Sequence, residues 1–173
     1  MSYRYVYGDL LSIMDVDAIC HQVNCLTVKP HGLSMKLAEK YPWADIYKLR
    51  KSIGNRNLAS PESRGLPGTI RIFNHRTFPS VICLQAQWDY GRCDKSYQRN
   101  IPPHTDSEEN RQKWFEQCLE EIGLTPYHKI AFPFKIGCGL AGSSWSVYNK
   151  ILKKFSTTYR KEVLIIIPNS PVR

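Results

Sequence analysis

The sequence has no C-x-x-C pair and no G-x-x-x-x-G-K-[ST] phosphate loop. It also has no apolar run near the roughly 18 residues of a membrane span. Each absence removes a class of function. The six cysteines, Cys20, Cys25, Cys83, Cys93, Cys118 and Cys138, lack paired spacing, and three of them fall in apolar or amphipathic segments where a thiol acts as a small hydrophobe. A disulfide framework is therefore not expected. His21 and Cys25 bracket a strand end, but no second pair follows at ligand spacing, so neither a metal nor another cofactor is expected. Met1 to Asp9 has no signal-peptide core and enters a strand pattern directly, which points to a soluble protein of cytoplasm or nucleus with no membrane partner. Without repeats or linkers, residues 1–173 read as one domain, expected to be a monomer.

What is present is enough chain for one core: at 173 residues, roughly two thirds of the unfolded surface can be buried. A net charge of +9, from 24 Lys and Arg against 15 Asp and Glu, attracts polyanions, and both a phosphate ligand and nucleic acid fit it. The positive residues are dispersed, as in Lys48-Leu49-Arg50-Lys51, Lys153-Lys154 and Arg160-Lys161, and read as solvated faces and loops.

Strand patterns are expected at Tyr3–Tyr7, Ala18–Val23, Thr69–Phe73, Val81–Gln85, Lys129–Phe132 and Val163–Ile167. Helical spacing runs over Ser34–Tyr41, ending at Pro42, with a further turn or two over Asp45–Lys51. A second helix begins with Asp106 as cap and Glu109 in the reciprocal position, buries Trp114, Phe115, Cys118, Leu119 and Ile122, and ends at Gly123. A third covers Ser144–Phe155 with Tyr148, Ile151, Leu152 and Phe155 inward, while Asp89–His104 is a surface excursion. Alternating strands and helices predict an α/β fold with a mixed, mostly parallel sheet, whose ligand site lies at the carboxyl ends of the strands.

Two loops belong there, Asn24–Ser34 and Pro133–Ser144. The second, Ile136-Gly137-Cys138-Gly139-Leu140-Ala141-Gly142, follows a strand and opens a helix. Glycines admit a ligand close to the backbone, and free amides at a helix start attract an anion, so it is either a phosphate cradle or an unliganded turn.

In order along the chain, Gly8-Asp9-Leu10, His21-Gln22-Val23-Asn24-Cys25, Gly32-Leu33-Ser34 and the Ile136–Gly142 loop resemble the macro domain family. The resemblance covers essentially the whole chain and is nearest to the branch with the yeast ADP-ribose 1''-phosphate phosphatase and phage or bacterial macro domains. It implies a three-layer α/β/α fold that binds ADP-ribose across the strand ends. By this resemblance Asp9, with Leu10, meets adenine, although Asp9 also suits a turn cap. Asn24 holds the distal ribose, or else ties down its loop. Gly32, Leu33 and Ser34 contact ribose and pyrophosphate, and Ile136, Gly137, Cys138, Gly139, Leu140, Ala141 and Gly142 wrap the diphosphate.

Two departures from the family matter. Lys29-Pro30-His31 replaces a glycine run, making the first loop stiffer and more basic. Gln87 and Ala141 stand where one hydrolytic subgroup has lysine and aspartate, which removes the covalent route. The implied activity is removal of ADP-ribose from a modified target through an aligned water. His21 would serve as general acid or place that water, with Asn24 holding the ribose, or His21 is a satisfied core group. The alternatives are an ADP-ribose 1''-phosphate phosphatase and a non-catalytic reader of ADP-ribosylated protein or nucleic acid.

Overall fold

The computed structural model describes residues 3–94, 99–139 and 141–169. Its strands are β1 (Tyr3–Tyr7), β2 (Ala18–Asn24), β3 (Thr69–Phe73), β4 (Ser80–Gln87), β5 (Lys129–Pro133) and β6 (Glu162–Ile167). The helices are α1 (Gly32–Lys40), α2 (Glu108–Gly123) and α3 (Trp145–Tyr159), with short 3-10 turns at Pro42–Ala44, Ile46–Leu49 and Pro61–Ser63. These form one mixed six-stranded sheet of order β1-β6-β5-β2-β4-β3. Every neighbouring pair is parallel except β3 and β4, so only the β3 edge reverses.

The period-2 alternation of strand side chains divides the buried residues between two cores. On one face Ala18, Cys20, Ile82, Leu84, Ile130, Phe132 and Val163 pack beneath α2 and α3. On the other, Ile19, Val23, Val81, Cys83, Ala131 and Leu164 pack beneath Leu37 of α1 and Tyr41, Ile46 and Tyr47. The result is a three-layer α/β/α fold, and with both faces covered the central strands can be continuously apolar. All six cysteines are free thiols. Among the described residues no helix is long and apolar enough to cross a membrane.

Three local expectations are corrected. The cap of α2 is Ser107, whose side chain accepts from the Asn110 amide at 3.0 Å, and not Asp106. Asp106 instead pairs with the buried Arg111, because an ion pair with a guanidinium inside the protein is the stronger demand on a carboxylate. Arg50 and Lys161 are likewise buried rather than solvated. The Lys161 ammonium is capped by the carbonyl oxygens of Thr125 and Tyr127.

Candidate functional site

A cleft of about 710 Å³ lies along the carboxyl ends of β1, β6, β5, β2 and β4. Asp9 follows the edge strand β1, Gly137 and Gly139 follow β5, and Gln87 closes β4. From β1 to β2 are three strand spacings, about 14 Å, so one extended ligand can touch all these points.

Of the candidates read from sequence, Asp9, Leu10, His21, Asn24, Gly32, Leu33, Ser34, Gln87, Ile136, Gly137, Gly139 and Ala141 line this cleft. Cys138 and Gly142 support the second loop from outside the lining, and Leu140 lies outside the described residues. The Cys138 thiol faces the Ile136 carbonyl at 3.3 Å and burial pushes it up to about 11, so it is not a nucleophile near neutral pH.

The first wall is fixed by side chains. Asn24 Oδ1 accepts from the Leu26 and Thr27 amides at 3.0 and 2.8 Å, and its Nδ2 donates to Thr27 Oγ1 at 3.0 Å. That is the loop-tying arrangement foreseen as one of its two roles. Asn57 Oδ1 accepts from the Val28 and Lys29 amides, and Arg50 donates to the carbonyls of Asn24 and Thr27. The chain then enters α1 through Gly32 at φ +56, with no side-chain cap and no acidic residue in the first turn. The first amides of this helix therefore face the cleft as an anion-attracting terminus.

The second wall carries its own backbone turns: Cys138 N–H to Lys135 O, Gly142 N–H to Gly139 O and Ser143 N–H to Gly137 O. Lys135, Gly137 and Gly142 all have positive φ. At Gly137 a Cβ would meet Tyr148 at 2.8 Å and Gln22 Oε1 at 3.0 Å, so only glycine fits the approach to the sheet. Gly139 has nothing within 4 Å of a built Cβ and faces open space. Among the described residues, the amides of Gly137, Gly139 and Ala141 donate to no protein acceptor. Alternate free amides around glycines make a concave set of donors that suits a diphosphate.

His21 has both ring nitrogens occupied. Ser34 Oγ donates to the Gln22 carbonyl at 3.3 Å, so it receives from His21 Nδ1 at 2.9 Å. Nε2 is left to accept from the Cys83 thiol at 3.2 Å. Burial lowers the imidazole to about 4, which keeps it neutral at physiological pH. As placed, the ring orients Ser34 at the start of α1. Asp9 is exposed, with its carboxylate accepting from the Leu11 amide at 2.9 Å and the Ser12 hydroxyl at 3.1 Å, which is the turn-cap role. A carboxylate has about four acceptor sites, so capacity remains for a ligand donor.

Several contacts of the site, and the buried Arg111, were not read from the sequence. Gln22 donates to Gln87 Oε1 at 2.7 Å, and Gln87 donates to the Asp89 carbonyl at 3.0 Å, so the two amides brace the cleft floor. His31 stacks on Tyr90, with ring centroids 4.4 Å apart, across the mouth. Arg111 is fully buried and paired with Asp106, and its NH1 donates to Gly91 O at 2.7 Å and Ala141 O at 3.3 Å. One guanidinium thus ties together cleft-lining residues from two different loops. A signal for it existed, because Arg111, Trp114, Phe115 and Cys118 share one helical stripe.

No protein-family model and no curated protein matches the sequence. Solved structures do match over nearly the whole chain. A Bacteroides thetaiotaomicron protein superposes with TM-score 0.67 and 23% identity, covering 94% of this chain and 97% of that one. The macrodomain of Mycobacterium tuberculosis DarG gives TM-score 0.63 and 18% identity, covering 97% and 98%. Thermosipho africanus DarTG, solved in complex with ADP-ribose, gives TM-score 0.60 and 16% identity, covering 99% of this chain and 43% of that one. At these identities the similarity shows a shared fold, the macrodomain fold.

Proposed function

We propose that the cleft binds ADP-ribose, free or attached to a target. The observation that carries this reading is that the amides of Gly137, Gly139 and Ala141 have no acceptor among the described residues and line the same cleft as the uncapped start of α1. Two backbone donor arrays on opposite sides of one groove provide for a diphosphate, and an exposed carboxylate three strands away provides for a base with an exocyclic amine. The solved ADP-ribose complex of a protein that shares this fold over 43% of its chain supports the same ligand.

The finer activity we assign is hydrolytic release of ADP-ribose from a modified target, without metal and without a covalent enzyme adduct. Gln87 and Ala141 supply neither nucleophile nor carboxylate. The work left to the protein is alignment, which holds the terminal ribose against an attacking water. His21 contributes by fixing Ser34 and the α1 terminus, since both its nitrogens are engaged and it is neutral at pH 7. Asn24 contributes by fixing the loop. The phosphatase alternative was suggested by these same two side chains, and both are engaged in hydrogen bonds within the protein.

The test is calorimetry with ADP-ribose and AMP, followed by incubation with ADP-ribose 1''-phosphate and with ADP-ribosylated peptides and DNA. The expected results are a 1:1 complex with ADP-ribose, much weaker binding of AMP, and release of ADP-ribose but no phosphate. Asp9→Ala should cost about 1.5–3 kcal/mol of affinity, as for a charged hydrogen bond. Equal affinity for both ligands contradicts the binding reading. Tight binding without release makes the protein a reader, and released phosphate makes it a phosphatase.

A further inference from the structure

The two fully or nearly fully buried arginines, Arg111 and Arg50, differ in one respect. Arg111 has a carboxylate, Asp106, at 2.6 Å. Arg50 has only neutral partners: the carbonyls of Thr27 and Asn24 at 2.8 and 2.7 Å, Gln85 Oε1 at 3.4 Å, and the Tyr47 ring 4.7 Å from its Cζ. Its hydrogen bonds are met, but among the described residues its charge has no partner in ion-pair range, although a buried charge ordinarily requires one.

Arg50 forms part of the wall of a separate pocket of about 270 Å³, which shares no lining residue with the cleft. Arg64 and Arg71 line the same pocket. Arg64 Nε donates to the Ala59 carbonyl, and the Arg71 guanidinium lies 5.5 Å over the Phe73 ring, so neither is neutralised by an ion pair among the described residues. The opposing charge at this pocket is Glu62, fully exposed at the rim. Gly65 keeps the floor open to the two groups beneath it, since a Cβ there would lie 2.0 Å from Gln85 Oε1 and 3.1 Å from an Arg50 terminal nitrogen. Among the lining residues three guanidiniums face one solvated carboxylate, with Asp45 an opposing charge that acts on Arg50 from outside the lining, so the pocket is positive, and planar forks of donors match the acceptor-only oxygens of phosphate.

We propose that the pocket bounded by Arg50, Arg64 and Arg71 is a second oxyanion site that takes a phosphate group, either free phosphate or a phosphodiester of nucleic acid. It stands apart from the ADP-ribose reading. Because Arg50 also holds the carbonyls of Asn24 and Thr27, the site lies directly behind the first wall of the cleft.

Inorganic phosphate titrated at constant ionic strength, with arginine Nε–H resonances as readout, tests it on the wild type, on Gly139→Glu, which obstructs the cleft, and on Arg64→Gln/Arg71→Gln. Arg50 is left intact because its loss would disturb the fold. The expected result is saturable binding by the wild type and by Gly139→Glu, with at least a tenfold weaker dissociation constant in the double variant. No saturation in the wild type overturns the proposal. So does loss in Gly139→Glu, or unchanged affinity in the double variant. A short single-stranded oligonucleotide identifies the source: tighter binding than phosphate with the same arginine dependence assigns a phosphodiester, and binding no tighter than phosphate assigns the free anion.

Discussion

From Asn24 to Gly32 the first wall of the cleft is held by side chains that reach into the backbone: Asn24, Thr27, Asn57 and Arg50 between them satisfy its amides and carbonyls. From Pro133 to Ser144 the second wall is held by its own turns, by three residues at positive φ, and by Arg111 at Ala141. The first wall is thus a prebuilt surface that offers a helix terminus, whereas the second, besides its own turns, leaves the amides of Gly137, Gly139 and Ala141 without an acceptor among the described residues. The contrast explains why side-chain substitutions should damage the two walls differently.

The largest effect is expected where one side chain serves several loops. Arg111→Met strands Asp106 as a buried carboxylate and frees Gly91 and Ala141 from each other, and breaking a buried pair costs about 3–5 kcal/mol. Urea unfolding measures it. A loss below about 1 kcal/mol, the scale of an exposed pair, would mean that the second wall stands without this tie.

Next is the acid limb of stability. The folded state keeps His21 near 4, below the ordinary 6.5, so its neutral form stabilises the fold fully above pH 6.5 and that contribution is lost as pH falls toward 4. Over that window the wild type should lose about 3 kcal/mol more than His21→Gln. Parallel pH profiles would show that the ring is not the group titrating under the first wall.

Asn24→Ala should cost about 1–3 kcal/mol, because the Leu26 and Thr27 amides lose a buried acceptor, and it should weaken ADP-ribose binding as the wall loosens. Reduced stability with unchanged ADP-ribose affinity would separate the loop from the ligand.

The layout of the fold was readable because its signals are local. The run Ala18–Val23 is apolar but for His21 and Gln22, α2 repeats its stripe at helical spacing, and glycines mark the second loop. Boundaries moved by one to a few residues, as where α3 runs on to Tyr159. The site was readable as two loops but not as a network. Asp106 has the chemistry of a cap, and although Arg111 lies on the buried stripe of α2, its claim on that carboxylate was not read from the sequence. Arg50 sits among Lys48, Leu49 and Lys51, and nothing in that window distinguishes the buried cation from its neighbours. Gln22 and Gln87 lie 65 positions apart and meet only because β2 pairs with β4. Lys135 adopts φ +60, which a residue type other than glycine does not announce.

Gly139→Glu should have the smallest effect on the fold and the greatest on binding. The position faces open space at an ordinary φ, so melting should be unchanged, while a carboxylate enters the field of the Gly137, Gly139 and Ala141 amides. Calorimetry of ADP-ribose with the wild type and this variant tests the central claim most directly. The account predicts a 1:1 complex for the wild type and no measurable binding by a variant that melts normally. Equal binding by both proteins would contradict it and reduce the second loop to a turn.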